Sequence, residues 1–272
     1  MKKPPESSIA VIGATRDVGE FLPKLMKVFE ECFSGFEKVY YFFVENNSAD
    51  NTREVLQQLS AKHRNFYPLF LGDSIEQKSH KTERIAIARN YAISEVMKKF
   101  PSIDYFAIAD LDAINLGLTK SAIESCWEHS NWNAMFANQP DGYYDIYALR
   151  HPIWSPNDFL KDYELLENDF GKKIALDLSM HSKRIKIKSN SPLIEVESAF
   201  GGLGIYSAAE IFNETYIGLD DHNNPICEHL SVNLGIKNKG GKLFINPAMT
   251  NTLGYNFFTR VKAIVYEKFI RK

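Results

Sequence analysis

The chain has little cysteine, no long apolar run and no excess of basic charge. Its three cysteines, Cys32, Cys126 and Cys227, form no zinc or redox spacing and are odd in number. That does not suggest a disulfide framework, and the expectation is reduced thiols in or near a core. No stretch approaches the roughly 18 apolar residues of a spanning helix, and the polar opening Met1 to Ser8 lacks the apolar segment of a signal peptide. The expectation is a cytoplasmic protein. Lys and Arg number 32 against 34 Asp and Glu, a formal net charge of −2. That balance argues against broad nucleic-acid binding, which shows a basic footprint, although nucleotide binding stays open.

What is present is alternation. Apolar strand-like runs at Ile9 to Ala14, Val39 to Val44 and Phe66 to Leu71 are separated by helix-like segments near Phe21 to Phe33 and Thr52 to Lys62. A helix over 81–99, a strand ending at Asp110 and a helix near Thr119 to His129 continue the pattern. Such order predicts βαβ units in a mostly parallel sheet, and 272 residues suit one large α/β domain. Beyond Asn138 the character changes. The spacing predicts a strand over Tyr143 to Leu149, a polar irregular stretch over 151–192, and a helix after Ser207, where Ser207 and Glu210 form a capping-box signal. A last helix from Glu228 to Lys239 ends at Gly240-Gly241, before a strand over Lys242 to Asn246.

Asp110-Leu111-Asp112 closes the apolar run Ile103 to Ala109. Two carboxylates thus stand at a strand's carboxyl edge, where open α/β sheets bind ligands. Hard oxygen ligands one residue apart suit Mg²⁺ or Mn²⁺, which bridges a few carboxylates to substrate phosphates. Alone, such a pair also serves to solvate a turn or cap a helix. Two further segments are rich in polar groups: Glu45-Asn46-Asn47-Ser48-Ala49-Asp50-Asn51-Thr52 after the second strand, and the helix carrying Arg84, Arg89 and Asn90.

The order Glu-Asn-Asn-Ser-x-Asp-x-Thr, then Arg-x-x-x-Ala-x-Arg-Asn-x-Ala, then Asp-x-Asp resembles the GT-A fold glycosyltransferases. Tyr144 to Arg150, Glu197 to Gly204, and Cys227-Glu228-His229 followed by Ile245-Asn246-Pro247 narrow the resemblance to the fungal capsule-associated mannosyltransferase group and its bacterial relatives, from about Ile9 to Pro247. The resemblance implies a Rossmann-like, mostly parallel sheet flanked by helices. It divides into a nucleotide-sugar half over 9–137, an acceptor half over 138–250 and a basic amphipathic tail over 255–272. It implies metal-dependent transfer from a GDP- or UDP-sugar to a hydroxyl of a glycan or lipid-linked acceptor. Asp112 and Asp110 would hold Mn²⁺ or Mg²⁺, with His229 as a further ligand or phosphate contact. Arg16, Arg84 and Arg89 would meet phosphate, a role that suits the guanidinium fork, and Glu45 the ribose or base. Glu228 would act as base or acceptor-positioning group. Asp145, Arg150, Trp154 and the Gly201-Gly202 loop would form the acceptor side.

Two rivals are carried. Gly13 to Gly19 resembles the first turn of short-chain NAD(P)-dependent reductases, with Glu45 imitating the ribose acid; but no tyrosine has lysine four residues later, as that chemistry requires. A catalytically silent glycan- or nucleotide-sugar-binding module is the second. In the tail, Phe258, Val261, Val265 and Phe269 approximate one apolar stripe among basic residues, a pattern for peripheral contact with an anionic inner membrane face or for packing on the domain itself.

Overall fold

The computed structural model describes residues 1–75, 78 and 80–252. Strand β1 (Ser8–Thr15) leads through α1 (Leu22–Cys32) to β2 (Lys38–Glu45), and α2 (Thr52–Lys62) returns the chain to β3 (Phe66–Phe70). After α3 (Lys81–Lys99), β4 (Tyr105–Ala109) enters on the other flank of β1. These four strands are parallel, and their runs are apolar throughout because helices cover both faces. Next come α4 (Lys120–Glu124), β5 (Ala134–Asn138), α5 (Phe159–Ser179), β6 (Ile194–Val196), β7 (Leu203–Ser207), α6 (Ala208–Ile211), α7 (His229–Asn238) and β8 (Leu243–Thr250). All eight strands join one sheet in the order β3-β2-β1-β4-β7-β5-β8-β6. β7 runs antiparallel to β4 and β5, and β6 to β8.

Side chains that alternate along each strand divide the core in two. Ile9 and Val11 of β1, with Tyr41 and Phe43 of β2, pack under α1 (Leu25, Phe29), α2 (Leu56) and α4 (Ile123). Ala10, Ile12, Phe42 and Val44 face α3 (Ala88, Ala92, Val96), α7 (Val232, Ile236) and the α5 residues Phe159 and Leu176. Each fully buried Leu or Phe contributes roughly 1.5–3 kcal/mol. Cys32, Cys126 and Cys227 are buried thiols within these layers.

Three expectations are corrected. Residues 143–149 form no strand. Asp145 Oδ1 accepts from Ala148 N at 3.3 Å, and Tyr143 N donates to Ile185 O, so local and strap contacts replace a ladder. The stretch 151–192 contains a helix, α5, capped by Asp158 through Leu160 N at 2.9 Å. Gly171, at φ 73°, breaks its periodicity, and Leu165 and Phe170 on its surface hide the amphipathic pattern. α6 forms where expected, but Ser207 makes no side-chain cap; Glu210 instead accepts from Asn133 Nδ2 at 2.8 Å. Among the described residues no helix is long and apolar enough to cross a membrane. The tail over 255–272 lies outside the described residues.

Candidate active site

The sheet's switch point falls between β1 and β4, because β2 and β3 extend to one side of β1 and β4 begins the other. Open sheets bind ligands at the carboxyl ends of strands flanking such a point. Asp110 leaves β4 there. Its backbone N donates to Gly202 O at 2.9 Å, and Asn115 Nδ2 donates to both Asp110 O and Gly202 O, at 2.8 and 2.9 Å. Asp112 caps the 3-10 turn Ala113–Gly117, its Oδ1 accepting from Ile114 N at 3.0 Å.

Arg89 is the centre of the site. α3 delivers it at 3 % exposure, where Nη1 is ion-paired with Glu228 Oε1 and donates to His229 Nε2 at 2.7 Å, while Nη2 reaches Asp110 Oδ1 at 3.2 Å. The guanidinium lies between the rings of Phe200 and Tyr216, 5.1 and 5.5 Å from their centroids. His229 stacks on Phe200 at 3.6 Å. Burial and the neighbouring Arg89 hold its pKa well below the usual value, so the ring is neutral and accepts through Nε2.

Acidic groups outnumber this cation. Asp110, Asp112, Asp145 and Glu228 lie close enough to interact electrostatically. Burial, opposed by Arg89 and reinforced by Asp112 and Asp145, pushes Asp110 up to about 7. Asp110 lines a cleft and keeps 37 % side-chain exposure, so its carboxylate sits deep in the fold yet meets solvent. Burial also raises Asp145 to about 6, although Gly201 N, 3.1 Å away, and Ala148 N stabilise its charged form.

The donor chemistry present, two carboxylates at one strand end, is of the kind a divalent ion uses. Asp110 Oδ2 and Asp112 Oδ2 carry no protein hydrogen bond among the described residues, and the local negative surplus favours a cation. Two carboxylates are the number that an ion completed by phosphates and water uses. No group of three or more His, Cys, Asp or Glu side chains arranged for metal occurs among the described residues; His229 faces Arg89.

A cavity of about 180 Å³ opens beside these groups. Of the residues expected from sequence, Arg89, Asp110, Asp145, Glu228 and His229 line it. The others, Asp112 among them, stand apart from its lining. Arg16 lies in the exposed loop after β1, 3.8 Å from Asp17. Glu45 is buried at the end of β2, where Oε1 accepts from Ser48 N at 2.6 Å and Oε2 lies 3.9 Å from Arg53. Arg84 donates to Lys78 O. Arg150 donates to the carbonyls of Tyr147 and Leu149 and pairs with Asp158, which ties the loop before α5. Trp154 Nε1 donates to Lys183 O at 2.7 Å. Gly201 and Gly202 adopt φ of 67° and 83°, and a Cβ at Gly201 would stand 2.5 Å from Ala137 O.

Sequence reasoning missed Tyr144, Lys81 and Arg184, which line the cavity. It also missed the buried amides Asn115, Gln139 and Asn251. Gln139 Nε2 and Asn251 Nδ2 both donate to Gly201 O, and Asn251 Nδ2 also reaches Asn115 Oδ1 at 2.8 Å. This network clamps the glycine pair against the Asp110 turn. Single amides scattered over more than a hundred residues carry no spacing signal.

No protein-family model and no curated protein matches the chain. Among solved structures, it is similar to the mannosyltransferase PcManGT from Pyrobaculum calidifontis, determined with GDP-Man and Mn²⁺. The TM-score is 0.52 at 14 % identity, over 100 % of this chain and 65 % of that one. It is also similar to TarS of S. aureus, with a TM-score of 0.50 at 10 % identity, over 96 % of this chain and 40 % of that one. The chain thus spans less than two thirds of either protein's length. At these identities the likeness establishes the fold, the GT-A type of α/β arrangement expected from the sequence.

Proposed function

We propose that this chain transfers a sugar from a GDP- or UDP-linked donor to a hydroxyl of a glycan or lipid-linked acceptor. The observation that supports this most is the surplus of carboxylates at the carboxyl end of β4, on a fold shared with a mannosyltransferase solved with GDP-Man and Mn²⁺. Asp110 and Asp112 would hold Mn²⁺ or Mg²⁺. When bound, such an ion supplies Lewis-acid neutralisation of charge developing on the departing diphosphate, an effect worth several kcal/mol.

The chain's own groups take the remaining roles. Glu45 Oε2 accepts from ribose or base, since Oε1 is engaged by Ser48 N. Arg16 adds cationic contact to phosphate. Arg89 fixes Glu228, His229 and Asp110 relative to one another and is a positioning residue. Asp145 takes the acceptor's proton: it lines the cavity, and a carboxyl held near 6 suits general-base work close to neutral pH. Glu228, ion-paired to Arg89, orients the acceptor. Hexosyl transfer in particular, kinship with the capsule-associated mannosyltransferase group and membrane contact through the 255–272 tail belong to the same proposal.

One arrangement disfavours the reductase reading. The amides of Asp17, Val18 and Gly19, which a dinucleotide's pyrophosphate would need, donate instead to Ser48 Oγ, Thr52 Oγ1 and Asp50 Oδ2. Those amides are thereby taken up by the loop's own side chains. Incubation with GDP- and UDP-sugars, Mn²⁺ and a mixed acceptor pool, read by mass, tests the transferase. Turnover abolished by chelator and restored by Mn²⁺ is expected. Binding without turnover for every donor would leave a silent binding module, and preference for NAD(P) would overturn the proposal.

A further inference from the structure

We propose that Arg184, aided by Lys81, receives an oxyanion on the acceptor, a sugar carboxylate or a phosphate, inside the same cavity; this rests on the transferase reading. Arg89 in the cavity, and the cations Arg150 and Lys183 outside its lining, are paired. Arg89 has Glu228 and Asp110, Arg150 has Asp158, and Lys183, next in sequence, holds Asp162 at 2.8 Å. Arg184 has no ion pair among the described residues. Its Nη2 reaches only Met180 Sδ, at 3.6 Å, and its buried Nε has no hydrogen-bond partner.

The side chain is held in place. Arg184 N donates to His181 O at 3.1 Å, Tyr143 N donates to Ile185 O at 2.9 Å, and Asn138 Nδ2 donates to Ile187 O at 3.0 Å. A strap fastened to the 138–143 turn therefore presents a partly desolvated guanidinium to the cavity wall. Burial lowers its pKa against a smaller opposing pull from Asp145, which makes no ion pair with it among the described residues. A desolvated charge is costly until a partner arrives, and the planar fork matches carboxylate or phosphate. The acids nearby are engaged at their oxygens: Asp110 and Glu228 by Arg89, and Asp145 by Gly201 N and Ala148 N, so Asp145 reaches Arg184 only through space. Lys81, on the first turn of α3, adds a second cation to the lining. Asp110, on the metal side, and Asp145, the proposed acceptor base, both line this cavity; the acid that acts on Arg184 is Asp145, which assigns the anion to the acceptor.

The test titrates the full chain, in metal-free buffer, with inorganic phosphate, methyl glucuronoside and neutral methyl glucoside. Wild type is expected to bind at least one anion and not the neutral sugar, and which anion wins separates phosphate from carboxylate. Arg184→Gln should weaken that binding roughly tenfold or more, as loss of a charge-assisted hydrogen bond implies, with Arg184→Lys between. Arg184→Gln should melt no lower than wild type and should keep its affinity for GDP or UDP with Mn²⁺. Anion affinity unchanged in Arg184→Gln, equal binding of neutral sugar, or a loss confined to nucleotide binding overturns the proposal. Should Arg184→Gln fail to fold, Arg184→Lys carries the same comparison. Failure of wild type to bind any nucleoside diphosphate with metal would instead overturn the transferase reading, since the anion titrations use neither.

Discussion

Arg89 and Glu228 lie 139 residues apart in sequence and form a buried ion pair that joins α3 to the start of α7. Both are almost wholly removed from solvent. Removing one partner leaves the other charge buried and uncompensated, which costs about 3–5 kcal/mol. Arg89→Met should therefore lower the urea unfolding midpoint steeply, and the double variant Arg89→Met/Glu228→Gln should recover much of the loss. Additive losses in that cycle would show that the two side chains are not coupled.

Asp112 serves two purposes that substitution can separate. Its Oδ1 caps Ile114 N, and an alanine there forfeits a cap worth about 1 kcal/mol. Asn keeps an acceptor for the cap but loses the charge an ion needs. Asp112→Asn is expected to melt close to wild type while losing Mn²⁺-dependent binding of GDP or UDP by titration. Asp112→Ala should lose both. Wild-type nucleotide affinity in the Asn variant would remove Asp112 from the metal site.

Glu45 poses the same problem at the second strand. Ser48 N donates to Oε1 at 2.6 Å, so Glu45→Ala disturbs the loop that carries Asp50 as well as any ribose contact. Glu45→Gln retains the loop acceptor. Weaker nucleotide binding in both variants, with lowered melting only in Glu45→Ala, is the expected pattern. Nucleotide affinity lost only in the alanine variant would make Glu45 a loop-forming residue.

The first half of the fold was legible because each parallel strand is a continuous apolar run and each helix shows one face. α3 spans 81–99 as its spacing implies. The second half resisted for physical reasons. β7 begins at Leu203, directly after two glycines in left-handed conformation, and reads as a loop. α5 is interrupted at Gly171 and carries apolar residues on its surface, so its periodicity is blurred. At the site, local motifs pointed to Asp110, Glu228 and His229, all of which meet around Arg89. Arg184 and Asn251 were illegible, because their meaning depends on contacts between distant segments.

Asp145 supplies a prediction with opposite signs for stability and activity. Burial, resisted by the amides of Gly201 and Ala148, raises its carboxyl from 3.8 to about 6 in the folded protein. The native state therefore holds that proton more tightly than the unfolded chain. The resulting stabilisation is complete below the unfolded value of 3.8 and is lost as pH rises through about 6. Asp145→Asn, which cannot titrate, should abolish this component of the slope of melting temperature against pH between those limits. Proton acceptance requires the charged form, so kcat/KM for transfer should climb roughly tenfold per pH unit below the folded pKa and level off above it. The component of that limb centred near 6 should vanish in Asp145→Asn together with most of the turnover, leaving only what Asp110 contributes, while Mn²⁺-dependent nucleotide affinity persists. An unchanged acid limb in the Asn variant would move the proton acceptor away from Asp145, with Glu228 the next carboxylate on the cavity wall.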